Sequence, residues 1–273
     1  MSGFTLFLRA LAAPVLRAAF VLRFALPVML IPSVLRLSFD LFPDDRVDVK
    51  DLWFTASFLL DPLVWSVVAI AWCRTLMRPL DYPRPLIAIR AEPLFRFLGA
   101  ALCLVLTGVG LLHLAGTFLP MGLTSYTLPG WHMFFLLGLA VQTLSTAVFL
   151  WPVLIFGRIL PGIALRHRSA LRALLRDGAR RVVPMAVIAL GLAILHTLAH
   201  LGLGRFLIMF VDHPLKDALT TVVPQFMSPT LFTLNMLGKA MINALAVLVL
   251  LAALCGEYVR FRGEAQQAVE QPA

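Results

Sequence analysis

Charge is scarce in this sequence. Asp, Glu, Lys and Arg make up 14% of its 273 residues, and acidic residues number 14 against 23 basic ones. Soluble domains carry about a quarter of their residues charged, so a water-facing surface of ordinary composition is excluded. Cysteine is rarer still, with three residues in all. Cys73, Cys103 and Cys255 are unpaired in spacing, two near expected cytoplasmic helix ends and one inside a helix, so they support neither a zinc site nor a disulfide framework and read as reduced thiols. No HExxH helix and no GxSxG elbow occurs, and "GLGRFL" at 202–207 lacks the third glycine of a dinucleotide loop. These absences remove the commonest metalloprotease, hydrolase and nucleotide-binding readings. The i, i+4 pair His196 and His200, with His113 and His132, is too little for a metal or haem site, and no cofactor is expected.

Apolar residues are plentiful: 60% are hydrophobic, and the mean hydropathy is +0.91. Windows long enough to cross about 30 Å of hydrocarbon at 1.5 Å per residue fall near 18–40, 52–74, 95–119, 131–157, 182–204 and 229–256. The expected fold is an all-α polytopic bundle of six spans, a membrane domain over residues 1–257 followed by a short tail, 258–273. The first span is the shortest, because Arg23 and Arg36 must both snorkel toward the interfaces. Residues 4–17 either lie along the membrane surface or extend that span. Arg9, Arg17 and Arg23 interrupt any signal-peptide core, so the amino-terminal segment is expected to be retained.

The net charge of +9 with a pI near 10.5 does not point to nucleic acid, because the basic residues sit between apolar spans without an RNA- or DNA-binding motif. They alternate instead. Arg74, Arg78, Arg84, Arg90 and Arg96 follow the second window, seven arginines from Arg158 to Arg181 follow the fourth, and Arg260 and Arg262 follow the sixth. Between the first two windows lies "DLFPDDRVDVKD", with five aspartates and two basic residues. The positive-inside rule then places both termini in the cytoplasm of a bacterial inner-membrane protein. Trp53 and Trp131 at the outer edge and Trp72 at the inner edge fit interfacial belts, or alternatively pack between helices.

The densest basic stretch is "LRHRSALRALLRDGARRV", residues 165–182. Arg168, Arg172, Arg176 and Arg180 recur every fourth residue on one arc, with Leu171, Leu174, Leu175 and Val182 on another. Pro161 and Gly162 are expected to break the preceding span, leaving an amphipathic helix at about 163–182 on the membrane surface. Its arginine face either rests on anionic head groups, each contributing about 1 kcal/mol, or docks an acidic protein or lipid regulator.

"GRILPGIALRHRSALRALLRDGARR", with Arg158, Pro161, Ala170, Leu171 and Gly178, resembles the segment after the fourth span of uncharacterised bacterial six-helix inner-membrane proteins. Those proteins are distantly similar to the membrane domain preceding some glycerophosphodiester phosphodiesterases. "AIAWCRTLM" and "LFRFLGAAL" resemble the same family around the second and third spans, with Cys73 where a histidine is expected. The resemblance implies a six-helix fold and an inner membrane, with no established reaction; no phosphodiesterase domain accompanies it.

Within the spans a few polar residues stand at similar depth. Helical rise puts Asp61 about 13 Å and Lys239 about 15 Å below the outer boundary. Thr107, Gln142 and His196 fall near the same level, and Asn235, Lys239 and Asn243 repeat at i, i+4, i+8 on one helix face. A charge in hydrocarbon normally faces a partner or a wet cavity, so Asp61 and Lys239 are expected to pair within a polar layer. Such a layer serves either as packing glue or as a transport or ligand site. Gly99, Cys103 and Thr107 form a small-residue strip expected to pack the third span closely. The function expected from these features is a non-enzymatic membrane protein associating with anionic lipid or a membrane partner. The alternative is a small-solute or proton-coupled transporter using the polar layer.

A peptide of residues 163–182 is expected to become helical on anionic vesicles and to lose most of its binding at high salt, while neutral vesicles bind it less. Circular dichroism and vesicle co-sedimentation measure this; equal, salt-independent affinity for both surfaces contradicts an electrostatic anchor.

Overall fold

The computed structural model describes residues 3–38, 47–77, 91–118, 131–165, 181–207 and 229–270. Among them every regular element is helical. The chain begins with α1, Gly3–Leu16, broken at Arg17, whose φ of −116° and ψ of 32° leave the helical region. A second helical stretch, Ala18–Leu37, follows. It consists of the single turn α2, Ala18–Phe20, a π-helical turn at Val21–Ala25, and α3, Leu26–Leu37. Then come α4, Val47–Met77; α5, Ala91–Phe118; α6, Trp131–Phe156; and the short α7, Ile159–Ala164. The last two are α8, Val182–Leu207, and α9, Pro229–Glu270.

Long apolar runs close their backbone hydrogen bonds internally, which is the only economical backbone state without water. Among the described residues five stretches are long and apolar enough to cross a membrane: Ala18–Leu37, Thr55–Met77, Ala91–Leu111, Val182–Leu203 and Thr233–Arg262. The chain is therefore a multi-pass membrane protein. Prolines inside α3, α4 and α6 are tolerated because neighbouring helices and local adjustments re-satisfy the freed carbonyls.

Two ends can be distinguished. At one, Arg74 of α4, Arg158 before α7, Arg181 before α8 and Glu257 of α9 converge; this is the basic end. At the other, Trp53 Nε1 donates to Leu35 O and Ser38 Oγ, both at 3.0 Å, tying the start of α4 to the close of α3. Packing is densest toward the basic end, where Trp72, Cys73, Leu254 and Tyr258 are all buried. There Trp72 stacks on Phe20 at 5.6 Å and donates its Nε1 to Leu248 O at 2.8 Å.

Several expectations change at this level. Trp72 bonds across to α9 and is fully enclosed, so it is a packing residue and not an interfacial anchor. The first helix buries Leu6, Ala10 and Ala13. Glycines on its two neighbours make the room: a Cβ on Gly256 of α9 would lie 2.6 Å from Leu6, and one on Gly191 of α8 would lie 3.0 Å from Phe7. Residues 4–17 thus set one face against the bundle, while Phe4, Leu8, Val15 and Leu16 on the other are exposed. The break after α6 comes at Gly157, and Pro161 and Gly162 lie inside α7. The last helix does not end near 256; it continues to Glu270, burying Tyr258 and placing Phe261 under Arg158. Residues 166–180, including Arg168, Arg172, Arg176 and Arg180, lie outside the described residues.

The third apolar helix also turns a different face inward. Gly99 has nothing within 4 Å of a built Cβ, and Cys103 and Thr107 are exposed. The buried stripe is Pro93, Phe97, Leu104 and Gly108, and a Cβ at Gly108 would come within 2.9 Å of the Phe149 backbone oxygen on α6. A backbone atom cannot swing aside as a side chain can. Gly108→Leu is expected to lower stability by about 1–3 kcal/mol through forced separation of α5 from α6, whereas Gly99→Leu leaves the melting temperature in detergent unchanged. Equal losses in the two variants contradict this assignment of faces.

Candidate functional site

Asp61 does not find Lys239. Its carboxylate is bonded by the Arg36 guanidinium, which donates Nη2–H to Oδ2 from the end of α3. No ion pair or hydrogen bond joins Asp61 to Lys239. Equal depth was a sound constraint, but it says nothing of angular position, and the neighbouring hairpin α3–α4 supplies a nearer cation. Arg36, assigned only to snorkel, has a flexible reach long enough to meet a carboxylate on the next helix.

Thr107 also falls outside the expected layer: it is exposed and donates its hydroxyl to Cys103 O of its own helix at 2.7 Å. Gln142 is exposed on α6 and its backbone oxygen accepts from Thr146 at 2.8 Å. The residues brought together are on α8 and α9. Nε2 of His196 lies 2.8 Å from Oδ1 of Asn243, and Nε2 of His200 lies 3.0 Å from the same oxygen. The two imidazoles are one helical turn apart, with ring centroids separated by 4.3 Å. His200 belongs to the site although depth alone did not select it; its i, i+4 relation to His196 was the available signal.

The other members of the α9 stripe continue toward the far end. Lys239 is half-buried, stands within electrostatic reach of His200, and makes no hydrogen bond or ion pair. Asn235 has its Oδ1 buried without a partner, as does His196 at Nδ1 and, beside it, Thr197 at Oγ1. Asn243 itself is exposed. Its exposure is not on the lipid-facing arc: exposed Met241 and Leu245 are about 160° away around the helix at 100° per residue. Asn243 instead turns its amide oxygen to α8, so its exposure marks the seam between the two helices as the candidate recess.

Toward the basic end the same faces close. On α9, Leu250, Ala253, Leu254 and Glu257 continue the Asn235–Lys239–Asn243 arc, and all are buried. On α8, Leu192, Ala189 and Met185 continue the His196 arc and are buried too. Below this plug Arg181 Nη1 bonds Glu257 Oε2 at 2.8 Å, and Arg260 stands 3.8 Å from Oε1. Glu257 is 4% exposed, and Arg158 and Arg74, read from sequence only as topology signals, are enclosed as well. Arg74 donates its Nε to Ala164 O at 3.1 Å, clamping α7 to α4. Glu257 was not singled out by sequence; a lone acid among the arginines that close the last apolar run was its only mark.

The chemistry available in the recess is hydrogen bonding and one positive charge. No group of three or more His, Cys, Asp or Glu suited to a metal ion occurs among the described residues. The three cysteines are free, with Cys73 and Cys255 buried and Cys103 exposed. No protein-family model, curated protein or solved structure matches this chain.

A double-mutant cycle separates the two partners of Asp61. Asp61→Asn is expected to cost about 1–3 kcal/mol, between values for exposed and buried pairs, and Arg36→Met is expected to be similar, with the double variant partly recovered. Lys239→Met combined with Asp61→Asn is expected to be additive within about 0.5 kcal/mol. Thermal unfolding in detergent measures both cycles; coupling in the second but not the first would restore the Asp61–Lys239 pair.

Proposed function

We propose that this protein is a six-span bacterial inner-membrane protein, both termini cytoplasmic, that receives a small polar ligand in a recess between α8 and α9 without transforming it chemically. The sixth span is α6, 26 residues long between Trp131 and Phe156. Arginine asymmetry supports the orientation, with the basic end in the cytoplasm and the recess toward the periplasm. The resemblance of "GRILPGIALRHRSALRALLRDGARR" to six-helix inner-membrane proteins supports the same location.

One observation carries the ligand reading. The polar arc of α9 is open at Asn243 and buried at Leu250, Leu254 and Glu257 along the same face. Packing glue would be enclosed on all sides, because in hydrocarbon its value comes from excluding competitors. A polar recess open to one side and plugged on the other is instead a binding pocket, and is also one of the two states alternating access requires. Transport of the ligand is therefore the extension of this reading. Association of the Arg168–Arg180 face with anionic head groups is a second, compatible role, supported by the four-residue arginine spacing.

In a Cys103→Ser background, Asn243→Cys is expected to react with a membrane-impermeant maleimide added to the periplasmic side of spheroplasts. Leu250→Cys is expected to react only after denaturation. Labelling of residue 243 solely from the cytoplasmic side, or none at all, contradicts the proposed recess.

A further inference from the structure

Resting on the recess as a ligand site, we infer that the group it receives is a monoanionic carboxylate, held by the Lys239 ammonium and the Asn243 amide. The inference follows from hydrogen-bond valence. The Asn243 Oδ1 lone pairs are both engaged, by Nε2 of His196 at 2.8 Å and Nε2 of His200 at 3.0 Å. An amide oxygen only accepts, so both imidazoles donate and the Asn243 side chain has its two Nδ2–H donors left to present. Asn243 is exposed, and with its oxygen taken by α8 those donors are what the side chain has left to offer a ligand.

One turn farther along α9, Lys239 adds three N–H donors and a full positive charge, and it makes no hydrogen bond or ion pair. One more turn on, Asn235 buries its Oδ1 while its amide nitrogen is not among the buried unpartnered atoms, so there too the donor end is the accessible one. The Nδ1 of His196 is buried and does not offer its position to the recess. Three successive turns thus give hydrogen bonds and accept none. Among the described residues, a cationic ligand would meet Lys239 and find no free carboxylate to receive it. Asp61, the acid at comparable depth, is engaged by Arg36.

A carboxylate answers each of these features. Its two oxygens accept from Lys239 and Asn243, neighbours at i, i+4, and its single charge cancels the single ammonium charge at a depth where an uncompensated one is expensive. A dianion would carry an excess charge into the same medium. The carboxylate comes either from a water-borne short-chain acid entering from the open end or from a fatty acid whose head group slides in between the helices. The recess chemistry is the same for both.

The test uses the full chain in zwitterionic nanodiscs, with carboxyl-labelled acetate and carboxyl-labelled oleate as separate NMR probes and choline as the cationic control. At least one carboxylate is expected to bind saturably at one per chain, and choline is not. Acetate binding identifies a water-borne ligand, and oleate binding alone a lipid-borne one. Asn243→Asp keeps oxygen acceptors for both imidazoles but replaces the amide donors with a negative charge; it is expected to weaken binding at least about tenfold, as is Lys239→Met, while Lys239→Arg retains binding. Melting temperature confirms that each variant is folded. Binding unchanged in folded Asn243→Asp, binding of choline, or no carboxylate binding to a protein whose residue 243 still labels from outside overturns the carboxylate assignment. Failure of that labelling overturns the recess itself.

Discussion

A polar group in hydrocarbon without a partner costs several kcal/mol, and the arrangement of this bundle follows from how each such group is met. Arg36 and Asp61 meet each other across the α3–α4 hairpin. Arg181 and Arg260 meet Glu257 where α9 leaves the apolar region, and Arg74 meets the carbonyl of Ala164. The Arg36–Asp61, Arg181–Glu257 and Arg74–Ala164 contacts each join two different helical elements, so there satisfying the charge and docking the elements are the same event. Had Glu257 been apolar, the start of α8 would have lost its Arg181 ion pair to α9.

Buried polar atoms without a hydrogen-bond partner occur at Arg36 Nε, but among the described residues the others gather on α8 and α9. His196, His200 and Asn243 bond one another, yet Lys239 carries its charge without a counterpart, and buried acceptors on His196, Thr197 and Asn235 go unmatched. Natural proteins violate the satisfaction rule at a few places, and those places are disproportionately functional. The plug of Met185, Ala189 and Leu192 facing the buried α9 arc through Leu250 and Leu254 gives the open region a floor. Small residues at Ala189 and Ala253 allow the helices to approach there, while the polar stripe beyond leaves room. The two halves of one helix pair therefore differ in composition and burial, a closed apolar half and a more open polar half.

The amino-terminal helix contributes to that division. By laying Leu6 and Phe7 against the glycines of α9 and α8, α1 thickens the packing toward the basic end and adds no cover at the level of Asn243. Its helical hydrogen bonding is interrupted at Arg17, and three residues on Phe20 stacks on Trp72.

The apolar run lengths and the periodic return of arginine were enough to determine, from sequence alone, an all-helical multi-pass chain and the identity of nearly every helix, because helix formation without water depends on local composition. The same reading placed Asn235, Lys239 and Asn243 on one face, since the 3.6-residue repeat is a property of the helix itself. What only the tertiary structure decided was rotation and partnership: that Asp61 turns to Arg36 and not to Lys239, that α5 packs by Gly108 and not by the Gly99 strip, that Trp72 and Arg158 are enclosed, and that His200 joins His196 on one amide oxygen. Depth along a helix can be counted from residue numbers, but the azimuth of one helix against another is set by the sum of its contacts, and no single segment of sequence contains that sum.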